Sequence, residues 1–220
     1  MSSARGLLCD YGGVMTTPIF ESFHAFCETE GISMESFKRV MSGAARVEGS
    51  PFALVETGAI SEEQFDEAVA SLLSDACGHS IAAPGLKQRM FALVKPDEAM
   101  WAAVGAARAA GVHTGLLSNS WGGRDYPLED LRSIFSSIVI SGETGMRKPD
   151  PDIYLFAAKQ AGAPPDACVF IDDFGVNVEG AEAVGMIGIL HRDARTTIAR
   201  LEELLGLSLQ PPADARSTQG

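Results

Sequence analysis

Gly6-Leu7-Leu8-Cys9-Asp10-Tyr11-Gly12-Gly13 decides how this chain is read. A short apolar run ends in a carboxylate, and a glycine turn follows. The same pattern returns downstream, where Thr114-Gly115-Leu116-Leu117 ends in Ser118 and Cys168-Val169-Phe170-Ile171 ends in Asp172-Asp173. Between those two runs lies Arg147-Lys148-Pro149-Asp150-Pro151, a cation ahead of a fixed turn. Short apolar runs separated by helical patterns read as buried parallel strands. Ligands of such sheets bind beyond the carboxyl ends of the strands, where the strand order reverses. Asp10, Ser118, Lys148 and Asp173 are therefore expected to converge. A carboxylate nucleophile, a hydroxyl, an ammonium and a second acidic pair are the parts that phosphoryl transfer needs.

Working outward from Asp10, the next apolar run does not arrive until Thr114, whereas a crossover between parallel strands needs only about a dozen residues. Most of the excursion is expected to form a second, helical lobe. Phe20, Phe23 and Cys27 share one helix face that Gly31 terminates. Ser61 and Gln64 form a capping box, and Phe65, Ala68, Val69, Leu72 and Leu73 follow at helical spacing. Ala82-Ala83-Pro84-Gly85 breaks that pattern, and Lys95-Pro96-Asp97 reads as the hinge of re-entry before a helix bearing Met100, Trp101 and Val104. Strands at Ile138–Ile140 and Ile187–Leu190 then alternate with helices near 128–133, from Pro151, from Val176, and through Ile198, Leu201 and Leu205. The expected architecture is an α/β core, 1–16 and 96–209, interrupted by a helical cap over 17–95. The polar segment 210–220, with Pro211-Pro212, is expected to be a disordered tail.

Composition narrows the function classes. At 220 residues the chain suits one core plus an insertion. A net charge of −12 leaves no basic stripe for nucleic acid and disfavours anionic membrane surfaces. Cys9, Cys27, Cys77 and Cys168 show no CxxC spacing, and buried reduced thiols are the expectation. The opening residues lead straight into the first apolar run without a signal-peptide core, and no stretch approaches the ~20 apolar residues that span a bilayer. A soluble cytoplasmic protein is expected. His24, His79, His113 and His191 lack ligand spacing and read as structural.

Each mark has a bland reading and a chemical one. A strand-end aspartate often only forms a turn, but two glycines after Asp10 let backbone amides approach an anion. A carboxylate there could attack phosphorus and form an aspartyl phosphate. Ser118 and Asn119 offer hydroxyl and amide donors, as ordinary loops also do. Pro149 biases Lys148 toward extended backbone and Pro151 pre-sets a helix start, so the frame aims one ammonium. That ammonium would stabilise charge on the nucleophile and on the transferring group. Asp172 and Asp173 would repel without a counter-ion, and hard oxygen ligands suit Mg²⁺ better than zinc. Three carboxylates and one lysine leave two negative charges, which one Mg²⁺ neutralises. Asn177 either braces this loop or starts the next helix.

In this order and context the motifs resemble those of the haloacid dehalogenase superfamily, from Leu7 to about Leu205. The resemblance implies a Rossmann-like parallel five-stranded core with an inserted α-helical cap closing over the site. Leu8 to Val14 and Phe170 to Asn177 look most like the branch holding the phosphatase domain of soluble epoxide hydrolases. It implies Asp10 as nucleophile, Ser118 and Asn119 as phosphoryl binders, and Lys148 as bridging cation. It further implies Mg²⁺ held by Asp10, the Gly12 carbonyl and Asp173, with Asp172 assisting.

One departure separates this chain from that pattern. Phosphatases of the superfamily usually place a second aspartate two positions after the nucleophile, where this chain has Gly12. Losing a general acid–base costs ~10²–10⁴-fold. The first reading is a Mg²⁺-dependent phosphatase acting on a small phosphorylated metabolite, best on good leaving groups. The alternatives are a haloacid-dehalogenase-type hydrolase and a catalytically weak module binding a phosphorylated ligand or partner. Dehalogenases of the family carry tyrosine at that second position, whereas Tyr11 stands at the first. Arg46 and Lys38 could reach an anionic substrate or simply face solvent. Met34, Met41 and the cap's phenylalanines serve either a homodimer surface or core packing.

Overall fold

The structure, a computed structural model, describes residues 4–45, 47, 49–122 and 126–209. Its strands are β1 (Gly6–Cys9), β2 (His113–Ser118), β3 (Ser137–Ile140), β4 (Cys168–Asp172) and β5 (Ile187–Leu190). They form one parallel sheet in the order β3-β2-β1-β4-β5. The helices are α1 (Ile19–Glu30), α2 (Met34–Ala45), α3 (Pro51–Glu56), α4 (Glu62–Cys77) and α5 (Leu86–Met90) before β2. After α6 (Glu98–Ala109) come α7 (Leu128–Ile134), α8 (Ser141–Thr144), α9 (Pro151–Gln160), α10 (Gly175–Ala183) and α11 (Ala194–Leu205).

The strands are apolar throughout because both sheet faces are covered. Leu7, Cys9, Leu116, Val169 and Ile171 pack with α6, α7 and α11 on one face. Leu8, Leu117, Phe170 and Cys168 alternate with them and pack with α9 and α10 on the other. Adjacent residues thus serve different cores, as the two-residue period of a strand requires.

Between β1 and β2 the chain is helical and has an apolar cluster of its own, including Phe26, Phe37, Phe52, Phe65 and Leu73. It leaves and returns by adjacent segments: Thr17 N donates to Lys95 O and Asp97 N to Met15 O, around an isolated antiparallel Thr16–Pro96 bridge. Local sequence sets the helix ends. Ser61 Oγ accepts from Gln64 N while Gln64 Oε1 accepts from Ser61 N, closing the expected capping box. Gly31 ends α1 at φ +69°, its N–H donating to Cys27 O. Helices α2, α3 and α5 were not expected.

Phe23, Met34 and Met41 are partly buried and pack against the helical cluster. The four cysteines are free, with Cys77 half-buried and the rest buried. Lys38 places its ammonium over the Phe20 ring. Arg46 and the segment 210–220 lie outside the described residues. Among the described residues, no helix is long and apolar enough to cross a membrane.

Candidate active site

The register of three neighbouring strands assembles the site. Cys9 lies opposite Leu116 and Ile171, so the residues just beyond them, Asp10, Leu117–Ser118 and Asp172–Asp173, reach the same edge of the sheet. Asp10 N donates to Ile171 O, carrying the β1–β4 ladder up to the carboxylate. From β1 the chain builds outward to β2 and β3 and then crosses to β4 on the other side, so the strand order reverses at this edge.

Lys148 is the hub. Its side chain is buried, with Nζ 2.8 Å from Asp10 Oδ1 and 2.6 Å from Asp172 Oδ2. Burial opposes its charge, but Asp10 and Asp172 outweigh burial and raise its pKa, so it stays an ammonium. Two hydrogen bonds from Asn119 fix its backbone: Lys148 N donates to Asn119 Oδ1 at 2.9 Å, and Asn119 Nδ2 donates to Lys148 O at 3.0 Å. Asn119 is therefore, first of all, the clamp that aims Lys148. The Lys148–Pro149 peptide bond is cis.

The two acids of the pair differ sharply. Asp172 accepts from Lys148 Nζ, from Phe174 N at 2.8 Å and from Asn177 Nδ2 at 3.1 Å on both oxygens. Asn177 thus braces the loop from within α10, whose bound Tyr154 hydroxyl donates to Asn177 O. Asp173 has no such partners: its Oδ1 is buried without a hydrogen bond. Burial and then the charges of Asp10 and Asp172 push its pKa up to about 7. Asp10 is pushed up to about 6 by burial, against the pull of Lys148.

Asp10, Asp172 and Asp173 place ligand oxygens within 4.8 Å of one another. One lysine does not balance three carboxylates, and a buried, orphaned oxygen is costly unless something pairs with it. The donor set is all oxygen, as a hard divalent cation prefers. Gly13 makes this arrangement possible. It sits at φ +73°, and a Cβ there would collide with Asp173 Oδ2. No histidine joins a candidate metal cluster among the described residues. His79, His113 and His191 instead contact Glu30 O, Ser137 Oγ and Thr197 Oγ1, and His24 pairs with Glu28.

Ser118 is buried with its Oγ 3.0 Å from the Tyr126 hydroxyl. Tyr126, which sequence reasoning missed, is an aromatic in a polar loop, and its ring lies 5.0 Å from that of Tyr11. Two further missed residues come from the helical lobe and the loop after β2. Glu56 at the end of α3 places Oε2 2.7 Å from Arg147 Nη2. Trp121, two residues past Asn119, inserts among Phe23, Phe52, Phe65 and Phe91 of the helical lobe.

A parallel α/β sheet carrying an Asp–Lys–Asp cluster at its carboxyl edge, with a helical lobe inserted after the first strand, defines a class of hydrolytic enzyme. The family model for haloacid dehalogenase-like hydrolases matches residues 3–185, and the chain belongs to that family. It is 31% identical to rat bifunctional epoxide hydrolase 2 over 144 residues, 60% of this chain and 26% of that protein. To the sesquiterpene phosphatase of Aspergillus oryzae it is 28% identical over 137 residues, 59% of this chain and 70% of that one. The chain spans about a quarter or less of the length of the epoxide hydrolases it matches. Among solved structures it resembles a point mutant of a Bacteroides thetaiotaomicron enzyme of the family, in complex with magnesium and inorganic phosphate. There the TM-score is 0.62 at 20% identity, over 86% of this chain and 94% of that one. The fold is shared at that distance.

Proposed function

We propose that this chain is a divalent-metal-dependent phosphatase that hydrolyses a small phosphate monoester through an aspartyl phosphate on Asp10. The observation that carries the reading is the contrast at the sheet edge. Asp10 is held by Lys148, while Asp173 beside it keeps a buried oxygen unpaired. The phosphatases among its relatives, and the fold neighbour solved with magnesium and phosphate, agree with it.

Mg²⁺ is the cation proposed, with Asp10, Asp173 and the Gly12 carbonyl as its holders. Such an ion would supply positive charge against the phosphoryl oxygens and the crowded carboxylates. Asp172, whose oxygens are already engaged, acts by fixing Lys148. Lys148 holds Asp10 ionised and oriented for in-line attack, and its charge offsets the negative charge gathering on the transferring group. Ser118 Oγ and Asn119 face the same edge as phosphoryl donors, with Tyr126 orienting the hydroxyl. The helical lobe, 17–95, forms the wall over the sheet edge and would select the ester's organic part. The net charge of −12 argues for a small metabolite rather than nucleic acid.

Hydrolysis of an aryl phosphate with and without Mg²⁺ tests the reading. Turnover that needs the metal and disappears in Asp10→Asn and Asp173→Ala is the expected result. Wild-type protein inert toward aryl, acyl and sugar phosphates would defeat it, and release of halide from a 2-halo acid would replace it with the dehalogenase reading.

A further inference from the structure

Phosphate ester cleavage at Asp10 leaves an alkoxide that needs a proton, and the local sequence offers none. Gly12 has no side chain, and Ile19 Cδ1 lies 2.7 Å from where its Cβ would stand, so α1 already fills that space. Among the described residues, the charged or ionisable groups whose fields reach Asp10 are Cys9, Lys148, Asp172, Asp173, Glu56, Tyr126 and Tyr154. Cys9 is packed into the core on one sheet face, and burial keeps its thiol protonated. Lys148 and Asp172 are locked together. Asp173 is the metal ligand of the reading above. Tyr126 is tied to Ser118, and burial raises its pKa further; Tyr154 donates to Asn177 on the far face of the sheet. Glu56 remains.

We infer that Glu56, delivered by the helical lobe, is the general acid and base of the reaction, in the role that Gly12 cannot fill. The inference rests on the phosphatase reading. The placement of Glu56 is built rather than incidental. Its carbonyl accepts from Ser141 Oγ, which in turn accepts from Ser120 N at 2.8 Å, binding the end of α3 to the loop that carries Ser118 and Asn119. Gly58, at φ +72°, lies so close to Gly142 that a Cβ would come within 2.6 Å of its carbonyl. The Asn119 amide that clamps Lys148 also reaches the Glu56 carboxylate.

The contact with Arg147 is an ion pair but not an aligned hydrogen bond, for Glu56 Oε2 and Arg147 Nε are both buried without a hydrogen bond. Arg147 holds the carboxylate in place by charge. Burial, working against Arg147 and Lys148 and helped by Asp10, pushes the Glu56 pKa up to about 7. A group near neutrality serves both directions of proton transfer.

The steps balance. An Asp10 oxygen bonds to phosphorus, the ester P–O bond breaks, and its electron pair goes to the leaving oxygen. That oxygen takes the Glu56 proton and departs as an alcohol. Water then attacks phosphorus while Glu56 accepts its proton. The bond from phosphorus to Asp10 breaks, releasing inorganic phosphate and restoring both carboxyl groups to their starting states.

The test is the leaving-group dependence of kcat/KM across substituted phenyl phosphates, from p-nitrophenyl to unsubstituted phenyl, with Mg²⁺ present. Wild type is expected to show a shallow dependence. Glu56→Gln is expected to lose ~10²–10⁴-fold on phenyl phosphate and at least about tenfold less on p-nitrophenyl phosphate, whose leaving group needs no proton. Arg147→Gln breaks the same ion pair but keeps the carboxylate, and should stay shallow. A parallel loss across the series in Glu56→Gln, or a steep dependence in Arg147→Gln, would make Glu56 a structural strut and overturn the inference. Steep dependence in active wild type would do so as well, leaving the phosphatase reading intact even where Glu56→Gln fails to fold. Wild type inert on the whole series would instead remove the reading on which the inference rests.

Discussion

The floor and the wall of the site are organised by different forces. The floor is the carboxyl edge of β1, β2 and β4, where strand register fixes each backbone and a buried Asp10–Lys148–Asp172 bridge fixes the side chains. The wall is the helical lobe, held by aromatic packing around Trp121 and by Lys87, whose ammonium contacts Glu62 and Gly122 O. Charge dominates the floor and is expensive to disturb, because each partner is desolvated. Apolar contact dominates the wall, which has a core of its own. Trp121 and Asn119 belong to one loop, so the packing of the wall and the clamp on Lys148 share a short stretch of backbone.

The largest effect is expected on the floor. Lys148→Met should cost about 3–5 kcal/mol in denaturant unfolding, since it strands two buried carboxylates. If the loss is below 1 kcal/mol, the bridge is not the element that fixes the floor. Trp121→Ala should cost about 3 kcal/mol, with faster amide exchange confined to α1, α3, α4 and α5. Equal acceleration in β1 and β4 would show that the two regions unfold together, and the distinction between them would fail.

Gly13→Ala should destabilise by about 1–3 kcal/mol through its positive φ and the collision with Asp173, and should weaken Mg²⁺ binding by titration calorimetry. Unchanged affinity would place the metal elsewhere. The pH response has a definite sign. Asp173 and Asp10 are raised from 3.8 to about 7 and about 6, so the folded protein binds their protons more tightly than the unfolded chain. The metal-free protein should lose stability as pH rises from near 4 through that window. Mg²⁺ competes with those protons, so its thermal stabilisation should grow over the same rise. A metal shift that shrinks as pH rises would break the assignment of these two carboxylates. The smallest effect belongs to the wall: Ser61→Ala should cost about 1 kcal/mol by removing the α4 cap, with kcat/KM unchanged.

These unequal regions were also unequally readable. Asp10, Ser118, Lys148 and Asp173 announce themselves because strand length, a two-residue period and terminal polar residues are local signals. The convergence itself follows from topology, which the alternation of strands and helices implies. Glu56 carries no such mark. Within Leu54-Val55-Glu56-Thr57-Gly58 it reads as an ordinary helix-end acid, and only the packing of α3 against α8 makes it a neighbour of Asn119. Trp121 was equally mute, since a tryptophan in a polar loop does not say which lobe it enters. Helix α3 did have a signal. Ser50 accepts from Ala53 N as its cap and Pro51 starts it, a pairing that sequence alone displays. Asp172 and Asp173 show the limit most plainly, for adjacent identical residues were separated only by their partners.

The most direct test of the account is to trap the enzyme during turnover of an aryl phosphate with borohydride and map the reduced residue by peptide mass spectrometry. An aspartyl phosphate on Asp10 predicts homoserine at position 10, dependent on substrate and on Mg²⁺, and absent from Asp10→Asn. Steady turnover with Asp10 unmodified, or reduction at another carboxylate, would contradict it.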